Sequence, residues 1–253
     1  MVEILKYLDC FLSQLDSYIA QTNGKITCQE IFEIQSKITE RISRYSMSKA
    51  NFTGFSEMLI YQSISHYFIN EIKNGNIKIE AGKQYLGKRN LFKKVNGAYA
   101  ETKEPKAQHP DITIEKDNKI LLLLSIKKQT GNIDIKPEDL YSKTVNELLI
   151  RDKDWKEKID KLNLGDKIPL PIQDINRIEN LYEKCGYFKA ITIYYNKPTK
   201  DNIKWLIRIK EKYPWYDYIS LQDKEEPFIE LLNEKVDLNN ICFFDEIIVN
   251  LIS

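Results

Sequence analysis

The chain has 253 residues, of which 42% are hydrophobic and 30% are charged, and its formal net charge at pH 7 is +1. This length and composition predict a folded globular protein with one sizeable domain, and they exclude a disordered chain. The near-zero net charge excludes a polycation, so any surface that binds nucleic acid must be a local basic patch.

In chain order, the first predicted elements are two amphipathic helices in an N-terminal helical region, residues 1–50. The first helix spans residues 2–21. The second begins at a capping box formed by Thr27 and Glu30 and runs to about Tyr45. The remainder, residues 51–253, is predicted to form the second part of the molecule.

This second part is predicted to open with a third helix from Phe55 to Lys73, with Glu57 in its first turn. A short strand is predicted from Ile77 to Glu80. The stretch from Lys83 to Lys106 contains seven basic residues against two acids, together with two glycines and a third, Gly82, just before it. Its composition is typical of a flexible, basic loop.

Two extended runs follow, from Asp111 to Glu115 and from Ile120 to Lys127, and they meet at the polar turn Lys116–Lys119. This pattern predicts a β-hairpin whose second, apolar strand lies in the centre of a sheet. If the hairpin closes with its polar faces aligned, Asp111 and Lys127 meet at one end of it.

After the hairpin, Pro137 is predicted to open a helix that runs to about Ile150, with Glu138 and Asp139 in its first turn. Residues Pro169–Pro171 are predicted to form a loop and an internal seam. The remaining predicted elements are a helix at Ile175–Lys184, a strand at Tyr187–Tyr195, a helix at Asn202–Tyr213, a strand at Asp217–Leu221, a helix at Phe228–Asn233 and a final strand or helix at Ile247–Ile252. This order predicts an α/β (α+β) fold, in which helices flank a mixed central sheet and an N-terminal helical extension is attached.

Residue counts limit the chemistry of any site. The four cysteines are scattered without a CxxC pair, which counts against a zinc cluster and a disulfide framework. Only two histidines are present, which counts against zinc hydrolases and Ser-His-Asp hydrolases. The nine glycines form neither a GxGxxG nor a GxxxxGK phosphate loop. These exclusions favour a site made of carboxylates and lysine.

The hairpin residues Pro110-Asp111 and Ser125-Ile126-Lys127 resemble the motif of the PD-(D/E)xK nuclease superfamily, which includes many type II restriction endonucleases. The resemblance implies a restriction-endonuclease-like catalytic core over residues 51–253 and Mg²⁺-dependent cleavage of double-stranded DNA. It also implies that Asp111 binds Mg²⁺ and that Lys127 stabilises charge near the scissile phosphate. Ser125 and Gln129 share a strand face with Lys127 and are further catalytic candidates.

The chain departs from the motif at Ser125, where the family usually has an acid two positions before the lysine. Serine is a poor ligand for Mg²⁺. Some restriction enzymes with serine at this position take a carboxylate from a neighbouring helix instead. The resemblance therefore implies Glu57, Glu138 and Asp139 as candidate metal ligands. A favourable interaction with the helix dipole explains the same three acids without a metal.

The basic stretch before the hairpin is a candidate DNA-binding segment. Lys88, Arg89, Lys93 and Lys94 are the residues that we expect to contact phosphates. A solvated loop explains the same charges without DNA, so both interpretations remain open at this point.

Four functions are compatible with these patterns. The first is a sequence-specific restriction enzyme that acts as a homodimer on a palindromic site, because double-strand cutting requires two active sites. The second is a repair, recombination or other defence nuclease with the same fold. The third is a non-catalytic DNA-binding protein with a decayed nuclease core, which Ser125 favours. The fourth is a structural domain with neither activity.

The sequence also predicts a cytoplasmic protein without a membrane partner. No apolar run approaches the roughly 18–20 residues that a membrane span requires. The first residues include the acid Glu3, unlike a secretory signal peptide.

Overall fold

The computed structural model describes residues 2–43, 53–186 and 188–238. Its helices are α1 Val2–Gln21, α2 Cys28–Ser43, α3 Thr53–Tyr67, α4 Ile69–Lys73, α5 Pro137–Leu140, α6 Lys143–Leu149, α7 Lys153–Lys156, α8 Leu170–Cys185, α9 Lys200–Lys212 and α10 Phe228–Val236. Its strands are β1 Lys78–Ala81, β2 Tyr85–Val95, β3 Ala98–Gln108, β4 Ile112–Lys116, β5 Lys119–Lys127, β6 Asn132–Asp134, β7 Lys167–Pro169, β8 Lys189–Tyr194 and β9 Tyr216–Ser220.

A mixed five-stranded sheet with the order β1-β4-β5-β8-β9 is the centre of the fold. Strands β1, β4 and β5 are antiparallel neighbours, whereas β5, β8 and β9 run parallel. The predicted β4–β5 hairpin is confirmed, and Asp117 and Asn118 at its tip both have positive φ, as a type I′ turn requires. The predicted α/β class with a mixed, helix-flanked central sheet is therefore confirmed.

Both faces of the central sheet are buried, which explains why β5 is a nearly continuous apolar run. Ile112, Leu122 and Leu124 belong to one hydrophobic cluster, together with residues of α1, α2, α3 and α10. Leu123 points to the other face, where residues of α6, α8 and α9 form a second cluster. The fold therefore has three layers, with the sheet between two layers of helices.

The N-terminal helices are part of the first cluster. Ile19 of α1 and Ile31 of α2 are fully buried and share this core with Ile60 of α3. The predicted capping box is also confirmed, because the Thr27 backbone N–H donates to the Glu30 carboxylate at 2.9 Å and the Glu30 backbone N–H donates to Thr27 Oγ1 at 3.1 Å. The predicted boundary between residues 50 and 51 lies outside the described residues, and so does the predicted element at Ile247–Ile252.

Two predicted helices are each interrupted in the structure. The helix predicted from Phe55 to Lys73 is divided into α3 and α4 at Phe68. The helix predicted from Pro137 to Ile150 is divided into α5 and α6, because the Ser142 hydroxyl caps a new helix by accepting a hydrogen bond from the Val145 backbone N–H at 3.3 Å.

The prediction of a loop and an internal seam at Pro169–Pro171 is wrong. These residues end β7 and begin α8, and Pro169 and Pro171 are buried. Proline is compatible with the first turn of a helix, where its missing N–H would have no intrahelical partner. Helix α8 therefore starts five residues earlier than predicted and packs on the sheet as the connection between β5 and β8.

The prediction that residues Lys83–Lys106 form a loop is also wrong, because β2 and β3 form a long antiparallel hairpin there. At its tip, Asn96 and Gly97 have positive φ, as in a type I′ turn. An Asn-Gly pair between two extended runs is the strongest local signal for a hairpin. The glycines and charges around this Asn-Gly pair are typical of a loop, and they conceal the hairpin signal in the sequence.

Among the described residues, no helix has both the length and the apolar character that crossing a membrane demands.

The turn after α1 approaches α3 so closely that only glycine fits at Gly24. Its φ is +75°, and a Cβ atom there would lie 2.2 Å from the Ser63 carbonyl oxygen. We expect Gly24→Ala to lower the free energy of unfolding by about 1–2 kcal/mol for the left-handed backbone and by about 1–3 kcal/mol more for the overlap. The measurement is equilibrium unfolding in denaturant.

Gly75→Ala is the matched control, because Gly75 has nearly the same φ, +74°, but open space around it. Gly75→Ala should lower the free energy of unfolding only by the cost of the left-handed backbone, about 1–2 kcal/mol. Equal losses for the two variants would contradict the described packing of the α1–α2 turn against α3.

Candidate active site

The structure brings Asp111 and Lys127 together at one end of the β4–β5 hairpin, as the strand pattern predicts. The Lys127 ammonium lies 3.5 Å from Asp111 Oδ2 and 2.7 Å from the Ser125 hydroxyl. A second carboxylate, Asp174 of α8, approaches the same ammonium at 3.5 Å. These four side chains form the polar cluster that we treat as the candidate active site.

Asp111 is held by the backbone of the neighbouring strand. Its Oδ2 accepts a hydrogen bond from the Ile126 backbone N–H, which ties the start of β4 to the end of β5. Burial raises the pKa of Asp111 above its ordinary value, and this effect outweighs the opposing effects of Lys127 and of the Ile126 N–H. Ionised Asp111 is therefore an energetically costly group in the folded protein.

Lys127 is a protonated cation in this environment. Burial alone would lower its pKa, but the neighbouring carboxylates Asp174 and Asp111 raise it above the ordinary value. Its side chain is still 20% exposed, so the ammonium can reach a ligand at the surface. Because it retains its proton at neutral pH, Lys127 is suited to stabilising negative charge rather than to acting as a base.

Asp174 is the site residue that sequence reasoning missed. Its side chain is only 3% exposed, and its Oδ2 accepts hydrogen bonds from Ser125 at 3.3 Å and from Thr192 at 3.4 Å. The available signal was the apolar spacing Ile172, Ile175 and Ile178, which extends the predicted helix toward its N-terminus and places Asp174 near its buried face. The mistaken seam at Pro169–Pro171 concealed this longer helix.

Ser125 links the lysine to this new carboxylate. Its hydroxyl accepts a hydrogen bond from Lys127 and donates one to Asp174. The residue that replaces the acid of the strand motif thus contacts an acid supplied by α8. The cluster keeps two carboxylates beside the lysine although the strand provides only a hydroxyl.

Glu57 approaches the cluster from α3, on the other side of the sheet. Because α3 begins at Thr53, Glu57 lies in the second helical turn, and the prediction that it lies in the first turn is wrong. Burial and the negative charge of Asp111 raise the pKa of Glu57, whereas Lys127 lowers it. Glu57 is therefore electrostatically coupled to the site, and a helix-dipole role explains it less well.

Glu138 and Asp139 make their contacts away from Lys127. Glu138 is buried and paired with Lys106 of the β2–β3 hairpin. Asp139 is buried and accepts hydrogen bonds from the Gln173 amide at 2.7 Å and from the Asn176 amide at 2.8 Å. The Lys127 ammonium instead contacts Ser125, Asp111, Asp174 and the Ile126 carbonyl oxygen.

Gln129, Lys93 and Lys94 lie at the surface. Gln129 is exposed in the segment after β5. Lys93 and Lys94 are exposed on β2, and Lys93 forms an ion pair with Glu104 at 3.2 Å. Lys88 and Arg89 also lie on β2, but their side chains are outside the described part of the structure.

The donor set of the cluster fits Mg²⁺ better than it fits a softer metal. Across the described ranges, no three His, Cys, Asp or Glu side chains converge closely enough to hold an ion by themselves. Mg²⁺ commonly binds only one or two carboxylates and completes its coordination with water and substrate phosphate. Asp111 and Asp174, both beside Lys127, provide such a pair.

The raised pKa of Asp111 predicts that its charge destabilises the metal-free protein. A buried acid with a raised pKa contributes stability below its ordinary pKa of 3.8, and this contribution is lost as the pH rises through the folded-state pKa. Asp111→Asn imitates the protonated form and can still accept the Ile126 hydrogen bond. We expect its melting temperature at neutral pH to exceed that of the parent, by about 2–4 °C for each kcal/mol recovered.

The difference in melting temperature should shrink as the pH is lowered toward 3.8. Glu225→Gln, which removes the charge of an exposed acid, serves as the control and should change stability by less than about 0.5 kcal/mol. A lower melting temperature for Asp111→Asn at neutral pH would mean that the ion pair with Lys127 outweighs the cost of burial.

Comparisons of this chain with protein-family models, with curated proteins and with solved structures found no match. The geometry of the cluster is therefore the basis for any statement about function.

Proposed function

We propose that this protein is a Mg²⁺-dependent DNA endonuclease that resembles type II restriction enzymes of the PD-(D/E)xK superfamily. The observation that supports this most strongly is the contact between Asp111 and Lys127 at 3.5 Å, at the end of a buried β-hairpin. The β4–β5 register brings the two residues to the same end of the hairpin, but a solvated hairpin end does not require their charged groups to meet beside the buried carboxylate of Asp174.

The arrangement of the sheet supports the same proposal. An antiparallel hairpin, β4–β5, is followed by the parallel strands β8 and β9, with helices on both faces. This order agrees with the restriction-endonuclease-like core that the motif implies. The cluster also lies beyond the carboxyl ends of β5 and β8, which is the edge where ligands bind in open α/β sheets.

Asp174 is proposed to supply the carboxylate that the motif lacks at Ser125. It is already in contact with Ser125 and lies as close to Lys127 as Asp111 does. Glu57, coupled to Asp111 across the sheet edge, is the alternative source. Glu138 and Asp139 are less suitable because each stabilises a contact elsewhere in the fold.

In this mechanism Asp111 and Asp174 would hold the metal ion, which would supply Lewis acidity at the phosphate and at water. The Lys127 ammonium donates hydrogen bonds to the phosphate and stabilises the charge that develops there. Glu57, whose pKa is raised, is the residue that we propose to accept the proton that the attacking water loses. A bond forms between the water oxygen and phosphorus as the bond between phosphorus and one ester oxygen breaks, and that oxygen leaves as a hydroxyl group after taking up a proton from solvent.

Double-stranded DNA is the proposed substrate, and the β2–β3 hairpin is proposed as a contact for its backbone. The hairpin presents Lys93 and Lys94 to solvent and leads directly into His109, Pro110 and Asp111. A DNA strand bound along it would therefore pass the cluster. Cutting both strands requires two such sites, so we propose a homodimer acting on a palindromic sequence.

A non-catalytic DNA-binding protein is the second candidate, and Ser125 is the observation that favours it. Incubation with Mg²⁺ and a mixed-sequence plasmid distinguishes the candidates. Discrete fragments would support a restriction enzyme, and a smear would support a repair or defence nuclease of broad specificity. An intact plasmid that is nevertheless bound by the protein would support the non-catalytic candidate.

The identity of the second carboxylate is tested by titrating Mg²⁺ against the cleavage rate of three variants. We expect Asp174→Asn to lower the rate at least about 100-fold and to raise the Mg²⁺ concentration for half-maximal activity, since loss of a mere outer-shell partner already costs 10–100-fold. Glu138→Gln is the control with an unchanged Mg²⁺ requirement, because Glu138 is paired with Lys106.

The third variant, Glu57→Gln, separates the two candidate ligands. If it raises the Mg²⁺ requirement and Asp174→Asn does not, the ligand is Glu57. The rise in melting temperature on adding Mg²⁺ gives a second measurement that does not depend on cleavage, because an ion that binds the folded state stabilises it.

The role of the hairpin is tested by replacing Lys88, Arg89, Lys93 and Lys94 together with alanine. We expect weaker binding to DNA of every sequence and a smaller slope of log affinity against log salt, by up to about 0.9 for each phosphate that the protein no longer neutralises. Lys119→Ala with Lys189→Ala removes two exposed lysines from the opposite end of the sheet and should leave the slope unchanged. An unchanged slope for the hairpin variant would contradict its proposed contact with DNA.

A further inference from the structure

Two cations beside the candidate active site take no part in the proposed mechanism. Arg177 lies three residues after Asp174 on α8, so both are on the same side of that helix. Lys136 directly precedes α5. Neither residue belongs to the strand motif or to the basic hairpin.

A chain of hydrogen bonds connects the two cations. The Arg177 guanidinium donates to the Gln173 side-chain oxygen at 3.0 Å, and the Gln173 amide donates to Asp139 Oδ2 at 2.7 Å. The same Asp139 oxygen accepts from the Lys136 backbone N–H at 3.2 Å. Gln173 is fully buried, so this link is a fixed part of the structure that holds α5 against α8.

The charges of Arg177, Lys136 and Lys127 act on one another. Burial and the nearby Arg177 guanidinium together lower the pKa of Lys136, although Asp139 opposes them. The Arg177 charge also acts unfavourably on the Lys127 ammonium. The guanidinium donates to the neutral amide of Gln173, which does not compensate its charge. Holding like charges together in this way costs free energy unless an anion joins them.

We propose that Arg177 and Lys136 form a phosphate-binding subsite that takes the backbone phosphate next to the one at Lys127. The guanidinium suits a phosphate because it presents several donors in a planar arrangement, and the ammonium adds a flexible point charge. The partly exposed Arg177 is anchored through Gln173, so little side-chain freedom is lost on binding.

This subsite deepens the proposed function and rests on it in one respect, namely the placement of the neighbouring phosphate at Lys127. It specifies the substrate class as a nucleic-acid strand with consecutive phosphates. A mononucleotide or a simple phosphate ester would leave the Arg177–Lys136 subsite empty. Because contacts to phosphate do not read bases, the subsite would set the position of the strand and not its sequence.

The experiment measures binding of a fluorescently labelled, mixed-sequence DNA duplex over a series of salt concentrations, without divalent metal, so that binding is observed apart from cleavage. The variants are Arg177→Gln and Lys136→Gln. Each should reduce the slope of log affinity against log salt by about 0.9, the value that corresponds to one phosphate. Arg177→Lys retains the charge and should restore most of the slope.

Lys119→Gln is the matched control, because it removes one exposed lysine at the opposite end of β5 from Lys127. Its slope should equal that of the parent. The exposed Lys136 side chain also keeps the test independent of folding, since its replacement leaves the backbone bond to Asp139 in place. Melting temperatures of all variants are measured alongside.

The outcomes separate the subsite from the proposed activity. If Arg177→Gln and Lys136→Gln have the slope of the parent, the subsite is wrong, whether or not the parent cuts DNA. If both slopes fall but the parent never cuts DNA with Mg²⁺, the subsite stands and the proposed catalytic function fails. A parent that does not bind DNA even at low salt would overturn both.

Discussion

The buried ion cluster of Lys127, Asp111 and Asp174 is the interaction on which the arrangement of the site depends. A charge taken out of water costs several kcal/mol unless a partner and further hydrogen bonds compensate it. Lys127 meets this condition through Asp111 and Asp174, whose carboxylates both reach the end of β5, and through the Ser125 hydroxyl. The β4–β5 hairpin and α8 are therefore fixed relative to each other by the electrostatic demands of one ammonium group.

The connection between β5 and β8 explains why the second carboxylate comes from a helix. These strands are parallel, so the chain must return along the face of the sheet, and α8 makes that return. Its N-terminal half lies over the carboxyl ends of the strands, where Ser125 and Lys127 are. The Asp174 carboxylate on α8 therefore reaches Lys127 from the face of the sheet that α8 covers. The small Ser125 side chain leaves room for Asp174 and donates a hydrogen bond to its carboxylate.

A second polar network joins the basic hairpin to the same helix. Asp139 binds Gln173 and Asn176 of α8, and Glu138 pairs with Lys106 of β3. Phe92 of β2 stacks on Tyr141, just after α5, with ring centroids 5.1 Å apart. Glu138 and Asp139, two of the acids that the sequence analysis gives as candidate metal ligands, therefore connect the hairpin, α5 and α8. As a result, the β2–β3 hairpin, which is followed closely by Asp111, is held against α8, the helix that provides Asp174.

Local patterns in the sequence determined the strand alternation around Asp111, the apolar run of β5, the capping box at Thr27 and the class of fold, because these depend on neighbours along the chain. They also determined that Asp111 and Lys127 would meet, since a hairpin with a tight turn allows few registers. Asp174 was decided only by tertiary structure, because no local pattern reveals which helical residue a parallel crossover brings over a strand end. The same holds for Glu138 and Asp139, whose acidity favours a helix start in the sequence but whose partners, Lys106 and Gln173, come from distant segments. Through-space pairing of buried charges depends on the packing of whole elements, and that packing is a property of the folded chain rather than of any stretch within it.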